Sequence, residues 1–184
     1  LPSPYTTCSD ADQYFPQFLV RNPAIRATLW NKDGQKMNFT QHDIVFQEIP
    51  GEISLAFSIS GCGLRCAGCH SPELWNEQNG TALNTETLEA LLKKYENLIT
   101  TVLFLGGEWF PEKLLELLLL ARAHDLKTAL YTGSETVDPR IEQALNYLKT
   151  GPWRSDRGGL SSPTTNQILR NLQTGEILNC HFQN

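Results

Sequence analysis

The clearest hydrophobic pattern lies between Glu52 and Ser60. There Ile53, Leu55, Phe57 and Ile59 alternate with small or polar residues at the two-residue period of a strand. Residues 85–95 repeat leucine at positions 88, 91 and 92, the spacing of one helix face, with Asn84 or Thr85 as a cap. Residues 101–105 are a short β-rich run. Pro111 then stands at a natural first helical position with Glu112 beside it, opening a helix over 111–124. Residues 127–131 read as another strand. Asp138 and Pro139 start a helix reaching about Asn146, and residues 147–149 form a short strand before Gly151 and Pro152. Upstream, residues 25–49 are strand-like, and Asp33-Gly34 supplies the turn signal for a hairpin between residues 27–30 and 36–39. Residues 1–22 show no firm periodicity.

The repeating unit is βα, which implies a parallel sheet covered by helices, with ligands at the carboxyl ends of the strands. A complete eight-stranded barrel takes ~250 residues, whereas this chain has 184. The expected fold is therefore α/β, a partial, open (β/α) barrel of about four to six parallel strands, preceded by a β ribbon. Residues 1–47 are expected to form the extension and hairpin, and residues 48–184 the main domain.

Composition narrows the function. The formal net charge is −5, from 15 basic and 20 acidic residues with no basic run, which argues against a nucleic-acid partner. No stretch approaches the ~20 apolar residues of a membrane span. The first four residues show no basic start leading into an apolar segment, so no secretory signal is visible, and a cytoplasmic location is expected. Five cysteines are an odd number, and three of them fall within eight residues, unlike a disulfide framework. A reducing compartment and a metal fit better. Cys8 and Cys180 have no evident partner.

The segment Gly61-Cys62-Gly63-Leu64-Arg65-Cys66-Ala67-Gly68-Cys69-His70 spaces its thiols as C-x3-C-x2-C. Three thiolates can hold an iron–sulfur cubane while leaving one iron for an outside ligand. The glycines let the backbone wrap closely around a bulky group. The alternative is a closed zinc site of Cys62, Cys66, Cys69 and His70. Against it, adjacent Cys69 and His70 converge awkwardly on one small ion, and zinc motifs usually draw their ligands as two separated pairs.

This loop resembles that of the radical S-adenosylmethionine enzymes. Its continuation through His70, Ser71, Pro72, Glu73, Leu74 and Trp75 is similar to the anaerobic ribonucleoside-triphosphate reductase activating proteins, which commonly have asparagine where Ser71 stands. The wider superfamily often has an aromatic residue just before the third cysteine, where this chain has Gly68, as the activating proteins do. Residues 158–167, Gly-Gly-Leu-Ser-Ser-Pro-Thr-Thr-Asn-Gln, also resemble a segment of those proteins.

The resemblance implies a [4Fe–4S] cluster on Cys62, Cys66 and Cys69, and S-adenosylmethionine beside Gly68 and His70. Gly106, Gly107 and Glu108 would lie alongside the cofactor's amino group, with Trp109 replacing the proline often found next. Thr132 and Lys149 would reach the cofactor from later strand ends, the lysine suiting its carboxylate. Reductive cleavage would give a 5′-deoxyadenosyl radical that abstracts hydrogen from a backbone glycine of the large anaerobic ribonucleotide reductase subunit. An electron donor such as flavodoxin or a ferredoxin-like protein would supply the electron. A small radical enzyme acting on a metabolite, resembling deazaguanine synthases, is the rival enzyme.

Overall fold

A computed structural model describes residues 36–183. The described chain forms one seven-stranded sheet flanked by three helices. In chain order these are β1 (Asn38–Val45), β2 (Ser54–Ile59), β3 (Thr81–Ala82), α1 (Thr85–Lys94), β4 (Thr101–Leu105), α2 (Pro111–Ala123), β5 (Lys127–Tyr131), α3 (Pro139–Gln143), β6 (Tyr147–Thr150) and β7 (Ile168–Asn171). The strand order is β3-β1-β2-β4-β5-β6-β7. β2, β4, β5 and β6 run parallel, as the repeated βα pattern requires. β1 and β3 on one edge and β7 on the other are antiparallel.

The α/β architecture with four parallel strands agrees with the sequence pattern. The sheet is open, and both of its edges end in antiparallel strands rather than curling on to further βα units. The strand expected over residues 36–39 is longer and shifted, and it is not a separate ribbon: β1 pairs with β2 from Phe39 opposite Ile59 to Val45 opposite Ser54. The other half of the expected hairpin, residues 27–30, lies outside the described residues. An aromatic ladder ties the edge to the centre, with Phe39 edge-on to Phe57 at 5.5 Å and Phe57 stacked on Phe104 at 5.8 Å.

Alternation along the central strands separates two layers. Leu55, Phe57, Val102, Phe104, Leu130 and Leu148 join Leu88 and Leu92 of α1, Leu114, Leu117 and Leu118 of α2 and Ile141 of α3 in the larger core. Ala56, Leu103, Ala129 and Tyr147 face the other way, where Ile49, Leu169 and Leu178 pack instead of helices. Asn84 caps α1 as expected, its side chain accepting from the Thr87 amide at 2.8 Å.

α3 stops at Gln143, short of the Asn146 that the pattern suggested. Thr128 is the cause. Its Oγ1 donates to the Ala144 carbonyl at 2.6 Å, its amide donates to Asn146 Oδ1 at 2.9 Å, and its carbonyl accepts from the Asn146 amide at 2.8 Å. The sheet takes these groups before another helical turn can form.

At the amino ends of the parallel strands one carboxylate joins four elements. Glu52 accepts from Lys127 Nζ at 2.5 Å, Thr100 Oγ1 at 2.7 Å, Tyr147 OH at 2.8 Å and Thr101 Oγ1 at 3.2 Å. Its side chain is 6% exposed against 47% for Lys127, so solvent screens the ion pair from the lysine side while the hydroxyl donors act on a buried carboxylate. Glu52→Ala is expected to lower unfolding stability by about 2–3 kcal/mol, measured by urea titration. Burial alone would raise the Glu52 carboxyl, but the bonds from Lys127, Thr100 and Tyr147 outweigh it and hold the group below 4.5. A lowered folded-state value stabilises above the unfolded-state value. The wild-type advantage over Glu52→Ala therefore shrinks as pH falls from 4.5 through the folded-state value.

Candidate functional site

The site is built at the opposite, carboxyl ends of β2, β4, β5 and β6. The chain leaves β2 at Ile59 and enters the cysteine loop, whose root is tied by the Gly61 and Cys62 amides donating to the Leu74 carbonyl at 2.7 and 3.0 Å. The Cys69 amide donates to the Cys66 carbonyl at 3.1 Å, and the Ser71 amide approaches Cys69 Sγ at 3.4 Å. All three thiols are free and half-buried, while Cys180 is free and exposed.

Trp109, absent from the sequence-based set of site residues, wedges the cysteine loop against the end of β4. Its Nε1 donates to the Ser60 carbonyl at 2.9 Å. A Cβ on Gly61 would fall 2.8 Å from that nitrogen, and one on Gly106 would fall 2.4 Å from the far edge of the ring. Both glycines also have positive φ, 96° and 88°, so each position excludes a side chain on two counts. Gly106 of the 106–108 turn is thus required by a tryptophan one residue beyond the motif.

Glu108 lies half-buried between strand ends. Thr132 Oγ1 donates to its Oε1, and Ser134 Oγ approaches the same oxygen at 3.4 Å. Its Oε2 is buried with no protein partner. Burial raises the carboxyl above its ordinary range, partly offset by the donors Thr132 and Ser134 and by the charge of Lys149. An unpaired buried acceptor costs roughly 1–3 kcal/mol, a cost that a ligand donor would remove.

Lys149 supplies the complementary charge. Its Nζ approaches the Gly151 carbonyl at 3.3 Å and lies 5.9 Å from the centre of the Tyr131 ring. Burial pushes its ammonium down to about 8, against the pull of Cys66 and Glu108. The Thr132 amide donates to the Lys149 carbonyl at 2.8 Å, fixing the ends of β5 and β6 together. Cys62 is raised by burial, against amide bonds from Leu64 and Arg65, with Glu108 and Cys66 adding to the rise. These mutual influences place Cys62, Cys66, Glu108, Thr132 and Lys149 in one electrostatic neighbourhood.

Gly68 and His70 are the loop residues that approach Trp153. Gly68 has φ 70°, and His70 packs its ring 4.4 Å from that of Trp153, tilted by 51°. The imidazole packs against the indole. Among the described residues, no group of three or more His, Cys, Asp or Glu side chains converges as a single-ion site. Trp153, Ser134 and Asn166 are further residues missing from the sequence-based set. Trp153 could have been flagged by its place directly after Gly151-Pro152 at a strand end.

The residues present suit a cluster and an amino-acid zwitterion. Three free thiols on one loop are the donor type that an iron–sulfur cluster takes. The free Glu108 Oε2 suits an ammonium, and the half-buried Lys149 ammonium suits a carboxylate. With this geometry the comparisons agree: the chain belongs to the 4Fe-4S single cluster domain family, whose pattern matches residues 50–150, more than half of its length. It is also 36% identical over 90 residues to the pyruvate formate-lyase-activating enzyme of Clostridium pasteurianum. That match covers 46% of this chain and 37% of the relative, so the shared region spans little more than a third of the curated protein. Together the two matches support a [4Fe–4S] cluster and S-adenosylmethionine as the cofactors. No helix among the described residues is long and apolar enough to cross a membrane.

Proposed function

We propose that this protein is a radical S-adenosylmethionine activase that installs a glycyl radical on a partner enzyme, and that the partner is the large subunit of an anaerobic ribonucleoside-triphosphate reductase. The observation that carries the reading is the unpartnered Oε2 of Glu108 at the end of β4, with the Lys149 ammonium at the end of β6 close enough for each charge to act on the other, an acceptor and a cation suited to the two ends of an amino acid. The similarity to an activating enzyme of another glycyl-radical protein supports the general activity. The Gly-Cys-His-x-Pro-Glu-x-Trp run at 68–75 and the 158–167 segment favour the reductase as the target.

Cys62, Cys66 and Cys69 would hold the cluster, and Glu108 and Lys149 would orient the cofactor's amino and carboxylate groups. Thr132 and Ser134 engage Oε1 of Glu108, which would leave its second oxygen for the ligand. The cluster and S-adenosylmethionine, when bound, supply one-electron cleavage of the sulfonium and the acceptor for a glycine hydrogen atom. A flavodoxin or ferredoxin-like protein would deliver the electron.

The test mixes reduced, reconstituted protein, S-adenosylmethionine and the anaerobic reductase of the same organism. A glycyl doublet in electron paramagnetic resonance is expected. Replacing the target glycine of the reductase by alanine should remove it, and so should oxygen. Consumption of a small metabolite in place of radical formation on the partner would sink the activase reading.

A further inference from the structure

Trp153 is held from three directions. Gly151 turns the chain at φ 102°, where a Cβ would meet the Asn166 carbonyl oxygen at 2.7 Å, and Asn166 Nδ2 donates to the Pro152 carbonyl at 3.0 Å. The indole then runs between the cysteine loop and the glycine pair at 158–159. Its centre is 4.4 Å from the His70 ring, and Cζ3 is 3.8 Å from where a Gly159 Cβ would stand. Nε1 is 3.7 Å from the corresponding point on Gly68, the residue before the third cysteine. The segment at 158–167 therefore has a physical task, to position this ring.

The indole N–H is the unexplained feature. It is buried and has no partner in the protein, and an indole nitrogen can only donate. Trp109, by contrast, places its N–H on a carbonyl. Gly68 interposes no side chain between the Trp153 nitrogen and the thiol loop, and a cluster held by that loop would bring sulfurs as the available acceptors. We propose that the Trp153 indole N–H donates a hydrogen bond to a sulfur of the cluster or of its thiolates, making Trp153 a positioning residue that sets the reduction potential. Such bonds favour the more negative, reduced state and raise the potential. The inference rests on the cluster being held by Cys62, Cys66 and Cys69.

Trp153→Phe keeps an aromatic ring at the position and removes the N–H. On reconstituted protein without S-adenosylmethionine, the ratio of reduced to oxidised cluster at a fixed potential should fall three- to tenfold. Tenfold corresponds to about 59 mV for one electron. Trp75 also carries a buried indole N–H without a partner, and Trp75→Phe, the control, should leave the ratio unchanged. No shift in Trp153→Phe, or a shift seen only with S-adenosylmethionine present, overturns the proposal. A second measurement avoids dependence on that variant's assembly. Wild-type protein labelled with 15N in the indole should show hyperfine coupling of an indole nitrogen to the reduced cluster, and the coupling should persist in labelled Trp75→Phe. Iron present with no coupling, or coupling lost in Trp75→Phe, overturns this inference alone. A wild-type protein that takes up no iron would remove the cluster assignment and this inference together.

Discussion

Alanine at Cys62, Cys66 or Cys69 is expected to reduce iron from about four per chain to near none after anaerobic reconstitution, whereas Cys180→Ala and Cys8→Ala retain it. The three loop thiols lie on one short segment rooted on the Leu74 carbonyl, while Cys180 is exposed near the far end of the chain. A cubane on three ligands has no redundant protein donor, so losing one thiolate leaves two irons without protein ligands. His70 should not compensate, because its ring is engaged with Trp153. The measurement is iron and sulfide per chain, with the visible absorption of the cluster beside it. Full iron in any loop variant, or stoichiometric zinc in the wild type with no iron, would refute the ligand set.

Glu108→Ala should weaken S-adenosylmethionine binding by about 10- to 100-fold, the equivalent of losing one charge-assisted hydrogen bond, while leaving the iron content unchanged. Two features separate this from a packing defect. Glu108 Oε2 has no partner in the protein, so the ligand gains a contact that the fold does not use. Removing the carboxylate also removes a buried unpaired acceptor, so unfolding stability without the cofactor should hold steady or rise slightly. Thr132→Val should show a smaller loss of affinity, because it frees the carboxylate to rotate without deleting it. Affinity is read by isothermal titration on reconstituted protein, stability by urea titration. Unchanged affinity in Glu108→Ala would remove the Gly-Gly-Glu turn from the site.

Much of this molecule was legible without its tertiary structure. The period-two run ending at Ile59, the leucine spacing of residues 88–92 and the Pro111 start gave β2, α1, β4, α2 and β5 to within a residue or two, because each of these elements is long enough to show its own buried face. The thiol spacing is local chemistry, so it too could be read directly. β3, two residues long, and β7, four residues long, were not expected: both are edge strands held by hydrogen bonds to partners distant in sequence, and neither is long enough to establish a period.

Local sequence by itself determined the order of βα units and the character of the thiol loop, since periodicity and ligand spacing act over a few neighbouring residues. Only the tertiary structure decided which residues meet. Glu52 finds Tyr147 95 positions away, Trp109 requires both Gly61 and Gly106, and Trp153 reaches back to Gly68 and His70. Such contacts depend on strand order and on the shapes of side chains brought from separate strand ends. A local hydrophobic period records which face of an element is buried, but it carries no record of the partner that will lie against it.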